Sequence, residues 1–255
     1  MDASDIAMAT RHCAKHGHYP VRTMLALGRS IEIGSCPACI ALADTERHGF
    51  ESQMQQLAID ARLDRAGVPK RLRTRSFDNF EATTPEQKTA RDVCVEYAKN
   101  FDAKLASGSV LILAGNTGTG KGHLAAAIAV SVLTNGNTAV FATAQEIVML
   151  LRGSWGNRSE ASELEILRML CRVDLLVIDE VGVQFGSDAE RNQLYAVIDG
   201  RYREQLPMIL TTNLTPAKLF DVLGQRIFSR LREDGKWLPF DWGDWRARRI
   251  SDVRT

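Results

Sequence analysis

The heptapeptide Gly115-Asn116-Thr117-Gly118-Thr119-Gly120-Lys121 constrains this chain more than any other segment. An apolar run, Val110-Leu111-Ile112-Leu113-Ala114, precedes it and a long Ala-rich helical segment follows. Strand, glycine loop and helix in that order turn a backbone into a phosphate cradle. Successive N–H groups converge on an anion, glycine lets the main chain approach without a Cβ clash, and the helix N-terminus adds its positive end. Lys121 brings a point charge to the β- and γ-phosphates, and the cradle extends over Gly122 and His123. The residue after the lysine is usually Ser or Thr, whose hydroxyl ligates Mg2+. Here it is Gly122, so the cradle is kept and one metal ligand is lost.

The second half of such a site lies about 60 residues downstream. Leu175-Leu176-Val177-Ile178 reads as a buried strand, and Asp179-Glu180 emerges at its carboxyl end, where ligands of open α/β sheets bind. Asp179 is expected to hold a water of the Mg2+ shell and Glu180 to polarise the attacking water as general base. The next strand ends in Thr211-Thr212-Asn213. Asn213 either orients that water beside Glu180 or caps the following helix.

From Phe77 onward, apolar strands at 109–114, 138–142, 174–179 and 207–211 alternate with helices at about 85–105, 121–134, 145–152, 160–172 and 188–204. That alternation predicts an α/β fold with a doubly wound parallel sheet. Upstream, a helix from about 50 to 68 has Met54, Leu57, Ala58, Ala61 and Leu63 as its apolar positions. It runs into a basic stretch containing Arg62, Arg65, Lys70, Arg71, Arg73 and Arg75, which reads as the junction between a domain of residues 1–68 and one of 69–255. A net charge of only +1 over 255 residues gives no global basic field for nucleic acid. The start lacks the charge and apolar pattern of a secretory leader, and the longest apolar run, Leu124 to Leu133, is too short to cross a bilayer. These features lead to the expectation of a soluble cytoplasmic protein.

Cys13-x-x-His16 and Cys36-x-x-Cys39 form two short chelating pairs with 19 residues between them. Each pair grips one edge of a tetrahedral Zn2+, and three thiolates with one imidazole make a closed structural site. His16 mirrors the spacing of the second pair, with His18 and then His12 as competing ligands. Metal binding would supply much of the folding free energy of so small a module. Cys94 and Cys171 stand singly and read as inert buried thiols.

Taken together, the GTGK-x-HLAAAI continuation of the loop, the LLVIDE-x-GVQ strand, the TTN strand end and the segment Leu223-Gly224-Gln225-Arg226-Ile227-Phe228-Ser229-Arg230-Leu231 resemble the AAA+ ATPases of the DnaC/IstB class. The closing stretch KWLPFDWGDWR, ending at Arg246, is most similar to DnaC-type replicative helicase loaders of phage or prophage kind. The resemblance covers about residues 70–250. It implies ATP as the nucleotide, self-assembly into an AAA+ oligomer, a hexameric DnaB-like replicative helicase as client contacted by the N-terminal region, and single-stranded DNA on the inner face of the assembly. It implies Arg230 as an arginine finger reaching a neighbouring subunit's nucleotide, Arg226 as second candidate, and Arg246 as a sensor arginine for the chain's own γ-phosphate. Loss of the hydroxyl at Gly122 points to slow, switch-type hydrolysis. DNA contacts would fall on Arg152, Trp155 and Arg158 or on the C-terminal Arg246, Arg248, Arg249 and Arg254; solvated loops explain both groups equally. Phe77 and Phe80 either line an adenine pocket or pack in the core. An IstB-like transposition helper and a zinc-bearing adaptor that never hydrolyses nucleotide are the alternative functions.

Overall fold

The computed structural model describes residues 6–26, 29–33, 35–153, 162–182, 187–233, 235–245 and 247. The chain divides into two compact units, residues 1–58 and 59–255.

In the smaller unit, β1 (Ile6–Cys13), β2 (Gly17–Ala26) and β3 (Arg29–Ile33) form an antiparallel sheet in that order. Helix α1 (Pro37–Arg65) follows and carries the chain into the larger unit. Both features exceed the sequence reading, which had no strands here and began the helix near residue 50. The helix starts earlier because Pro37 occupies its first position, where the missing N–H costs nothing, and the Ile40 N–H closes on the Cys36 carbonyl. Its first half was hidden because Ile40, Leu42 and Phe50 are exposed and mark no buried stripe; Met54 and Leu57, further along, are exposed as well. Of the expected apolar positions, Leu63 alone is fully buried, together with Ala66 and Val68 in the core of the larger unit.

The larger unit runs α2 (Pro85–Lys99), α3 (Phe101–Ser107), β4 (Val110–Gly115), α4 (Lys121–Thr134), β5 (Ala139–Thr143), α5 (Ala144–Gly153), α6 (Glu163–Leu170), β6 (Leu175–Asp179), α7 (Asp188–Arg203), β7 (Met208–Thr212), α8 (Pro216–Glu233) and β8 (Gly235–Phe240). The five strands pair in the order β5-β6-β7-β4-β8, all parallel. Successive side chains point to opposite faces. Leu111, Leu113, Val177 and Ile209 therefore join α2 and α4 in one core layer, and Val110, Ile112, Ile178 and Leu210 join α5, α7 and α8 in the other. Helix α4 is buried almost all round, and its run of alanines lets it lie close on the sheet. The helix expected at 85–105 is two helices, broken where Asn100 leaves helical geometry. The aromatic C-terminal stretch supplies a fifth parallel strand, β8, beside β4. Among the described residues no helix is long and apolar enough to cross a membrane.

One buried cation braces this arrangement. The guanidinium of Arg201, fully buried, donates to the carbonyls of Leu170, Val173, Asp174 and Pro207. It thereby ties the end of α6 to the starts of β6 and β7.

Candidate active site and metal cluster

Beyond the carboxyl ends of β4, β6 and β7 lies a cavity of about 360 Å³, a volume in the range of small-molecule sites. Its floor is the loop from Thr117 to His123, and Asp179, Glu180, Thr211 and Asn213 form the side facing that loop. The structure thus brings Lys121, Asp179, Glu180 and Asn213 to one cavity.

Lys121 is 7 % exposed and donates from Nζ to the carbonyls of Gly115 (2.8 Å) and Asn116 (2.6 Å). These two loop residues hold the lysine rather than line the cavity. Burial pulls the Lys121 ammonium down to about 8, against the opposing pull of the nearby Asp179 carboxylate. Thr119 closes the loop by donating from Oγ1 to the Asn116 carbonyl at 2.7 Å.

The acid pair sits in a tight turn. Asp179 is half-buried at the end of β6, and Glu180, exposed, has φ of 57°. A non-glycine residue in this left-handed region costs about 1–3 kcal/mol and persists only where its surroundings impose it. Thr211 imposes it: its hydroxyl donates to Asp179 Oδ1 and accepts the Glu180 N–H at 3.1 Å, and its carbonyl accepts the Val181 N–H at 2.8 Å. Across the cavity, a β-carbon added at Gly122 would stand 3.7 Å from Asp179 Oδ2 and 3.9 Å from Oδ1. That is ordinary contact distance, so the space a Ser or Thr would fill exists and is simply not used. The donors facing it, one carboxylate oxygen of Asp179 left outside the Thr211 bond and the exposed Glu180, suit a hard cation such as Mg2+.

Several wall residues come from segments that the sequence did not connect with nucleotide. Arg71 and Arg75, read as part of a domain junction, line the cavity with Phe80, Glu81, Trp242 and Trp245. Phe77 packs against the core without lining the cavity, whereas Phe80 is buried in that core and also forms part of the cavity wall. The strap after β8 grips the loop from outside. Asn116 N–H donates to the Phe240 carbonyl, Trp242 Nε1 to the Thr119 carbonyl and the Trp245 N–H to the Gly118 carbonyl. A β-carbon at Gly115 would stand 2.4 Å from the Phe240 carbonyl oxygen, and one at Gly118 1.7 Å from an oxygen of Asp244. Gly115 is thus demanded by the strand backbone beside it, whereas at Gly118 the neighbour is a side-chain end and the φ of 73° is what favours glycine. His123 Nε2–H donates to the Ser76 carbonyl at 2.8 Å and its ring meets Phe80 edge-on, pinning the upstream segment to α4.

The other arginines stand elsewhere. Arg230 is paired within its own chain, with Asp199, with the Tyr195 hydroxyl at 3.1 Å and over the Tyr195 and Tyr202 rings. Arg226 is exposed. Arg152 is bound to Glu190 at 2.8 Å and to the Ser187 hydroxyl, at the start of α7. Arg246, Trp155, Arg158, Arg248, Arg249 and Arg254 lie outside the described residues.

In the smaller unit, the tip of the β1–β2 hairpin carries Cys13 and His16, while Cys36 and Cys39 bracket the first turn of α1. Their four ligand atoms lie within 4.8 Å of one another. Cys13 Sγ is 3.6 Å from Cys39 Sγ, and His16 Nδ1 is 3.7, 3.6 and 3.3 Å from the sulfurs of Cys13, Cys36 and Cys39. A tetrahedron with Zn–S of about 2.3 Å has edges of about 3.8 Å, so the cluster has the dimensions of a zinc site. The N–H groups of Lys15 and His16 pull the Cys13 thiol down to about 6, whereas Cys39 is pushed up to about 11, first by its hydrogen bond with Cys13. One thiolate thus suppresses the next, a conflict that a dication removes. His18 pairs across the strands with His12, ring against ring, which leaves His16 as the imidazole of the cluster. Cys94 is fully buried and its thiol is pushed up to about 12 by burial; Cys171 is half-buried.

The profile of the family described as IstB-like ATP binding protein matches residues 40–231. The chain belongs to this family. It is 32 % identical over 200 residues to the replicative helicase loader DnaC of Escherichia coli K12, covering 78 % of this chain and 80 % of that protein. It is 33 % identical over 201 residues to the uncharacterized protein YdaV of the same organism, covering 78 % and 79 %. Among solved structures, a crystal structure of the DnaC helicase loader superposes with a TM-score of 0.61 at 23 % identity, over 67 % of this chain and 99 % of that one. The replication initiator DnaA bound to AMPPCP and single-stranded DNA gives a TM-score of 0.55 at 23 % identity, over 70 % and 54 %. The family membership and the parallel sheet with its phosphate loop agree with the expected AAA+ fold.

Proposed function

We propose that this chain is an ATP-regulated loader that delivers a hexameric DnaB-like replicative helicase onto single-stranded DNA. The observation that carries the reading is the convergence of Lys121, Asp179 and Glu180 on one cavity in a member of an ATP-binding family. Its resemblance to DnaC over four-fifths of that protein's length points to the client.

In this reading the amides of the loop from Gly115 to His123 hold the triphosphate. Lys121 leaves the Gly115 and Asn116 carbonyls for the β/γ-phosphates, which replace them as partners of its ammonium. Glu180 takes the proton of the attacking water, Asn213 orients that water, and Arg246 reports on the γ-phosphate. Mg2+, held by Asp179, phosphate oxygens and water, supplies charge neutralisation. With no hydroxyl at Gly122, hydrolysis is slow and serves as a timer; turnover at ~10 s⁻¹ or above, an ordinary enzymatic rate, would contradict this. Arg230 exchanges Asp199 for the nucleotide of a neighbouring protomer when the AAA+ oligomer assembles. Residues 1–68 form the helicase-contacting domain, with Zn2+ on Cys13, His16, Cys36 and Cys39 as its structural ion, and residues 69–255 form the ATPase.

The test is co-purification with the host's DnaB-like helicase, with and without ATP, followed by transfer of that helicase to single-stranded DNA. A complex whose DNA delivery depends on ATP is expected; no complex in either condition contradicts the reading. The family's IstB-like description supports a second one, a transposition helper. Nucleotide-dependent filaments on duplex DNA without any helicase would favour it.

A further inference from the structure

The usual phosphate loop places a hydroxyl next to its lysine, on the Mg2+ that the carboxylate at the end of a neighbouring strand also serves. Here Gly122 leaves that place without one, with Asp179 Oδ2 3.7 Å from where a β-carbon would stand. A different hydroxyl meets the same carboxylate from the other side. Thr211 is the fourth residue of β7, 2 % exposed, after three apolar residues, Met208, Ile209 and Leu210. Ile178 on β6 pairs with Leu210, so Asp179 and Thr211 stand one step further along, at the mouth of the cavity. A buried hydroxyl is costly unless it is bonded, and this one is bonded twice. It donates to Asp179 Oδ1 and accepts the Glu180 N–H at 3.1 Å. Thr212 completes the brace from β7 by donating to the Val181 carbonyl at 2.7 Å.

We propose that Thr211 is the positioning residue for hydrolysis in this chain. From the neighbouring strand it fixes one oxygen of Asp179 and the backbone of Glu180, and so aims both carboxylates into the cavity in place of the hydroxyl that Gly122 cannot supply. The inference rests on the hydrolysis reading above and deepens it. Asp179 Oδ1 is committed to Thr211, so Oδ2, on the Gly122 side, is the oxygen left for the nucleotide's cation. The left-handed turn at Glu180 is held by the Thr211 hydroxyl on its N–H, so the general base depends on a side chain whose hydroxyl is spent on Asp179 and the Glu180 backbone.

The experiment measures ATP turnover, and affinity for a fluorescent ATP analogue, in the full chain and in Thr211→Val, Thr211→Ser and Glu180→Gln. Valine keeps the shape and strand preference and removes the hydroxyl. Loss of such an outer partner typically costs about 10- to 100-fold in activity. The expected result is a fall in kcat of that size in Thr211→Val, with analogue affinity within about twofold, and recovery of most of kcat in Thr211→Ser. Thr211→Val turning over at the full rate would overturn the inference. So would loss of analogue binding in step with turnover, which assigns Thr211 to the sheet alone, or a serine variant as slow as the valine one. Turnover undiminished in Glu180→Gln overturns the general-base reading instead. A wild-type chain that binds the analogue and never hydrolyses ATP removes both.

Discussion

Lys121 is held among main-chain carbonyls in a largely buried position, and its ammonium sits near 8 because burial disfavours its charge. The folded chain therefore releases that proton more readily than the unfolded one. ATP reverses the balance: triphosphate beside the ammonium favours the charged form. Below about pH 8 the lysine is already protonated and ATP affinity should be flat. Above it, binding has to take up a proton, and affinity should fall by up to about tenfold per pH unit until the bound-state value is reached. A titration of the ATP dissociation constant from pH 7 to 9.5 checks this, and an unchanged constant at pH 9.5 would contradict it. The loop, Lys121 and the acid pair were legible because phosphate chemistry demands fixed residue types at short spacing. Thr211, Arg71, Arg75 and the two tryptophans were not. Their roles come from tertiary placement, and nothing local distinguishes a threonine at a strand end that bonds a carboxylate from one that does not.

At the scale of elements, the sheet was readable because continuous apolar runs such as Leu175 to Ile178 have no other stable home than a strand covered on both faces. Strand β8 escaped as a member of the parallel sheet because Lys236 and Pro239 interrupt its apolar character; it is an edge strand, with only part of its surface buried. The smaller unit was least legible. Among the residues whose side chains are described there, Val21 and Cys36 are the buried hydrophobic ones. The four-ligand cluster joins the hairpin tip to the start of α1, where metal binding would contribute folding free energy to so small a unit. Removing one ligand by Cys36→Ser, or the metal by chelation, should make residues 1–58 sensitive to protease while ATP binding by residues 59–255 persists. Limited proteolysis with metal analysis decides it: one zinc per chain is expected, and metal-free protein with a resistant N-terminal unit would contradict the assignment.

Across the whole molecule, one face of chemistry is assembled from distant parts of the chain. Residues near 71–81, the loop at 117–123, the acid pair at 179–180, the end of β7 and the C-terminal strap all meet at a single cavity. Arg230 lies outside it, paired with Asp199 and two tyrosines; in the proposed assembly it would have to leave these partners before serving a neighbour's nucleotide. The most direct measurement is calorimetric titration of ATP and Mg2+ into the purified chain. A single saturable site per chain, abolished in Lys121→Ala, is the predicted result; intact, folded protein that gives no binding heat and no competition with a fluorescent ATP analogue would contradict the account.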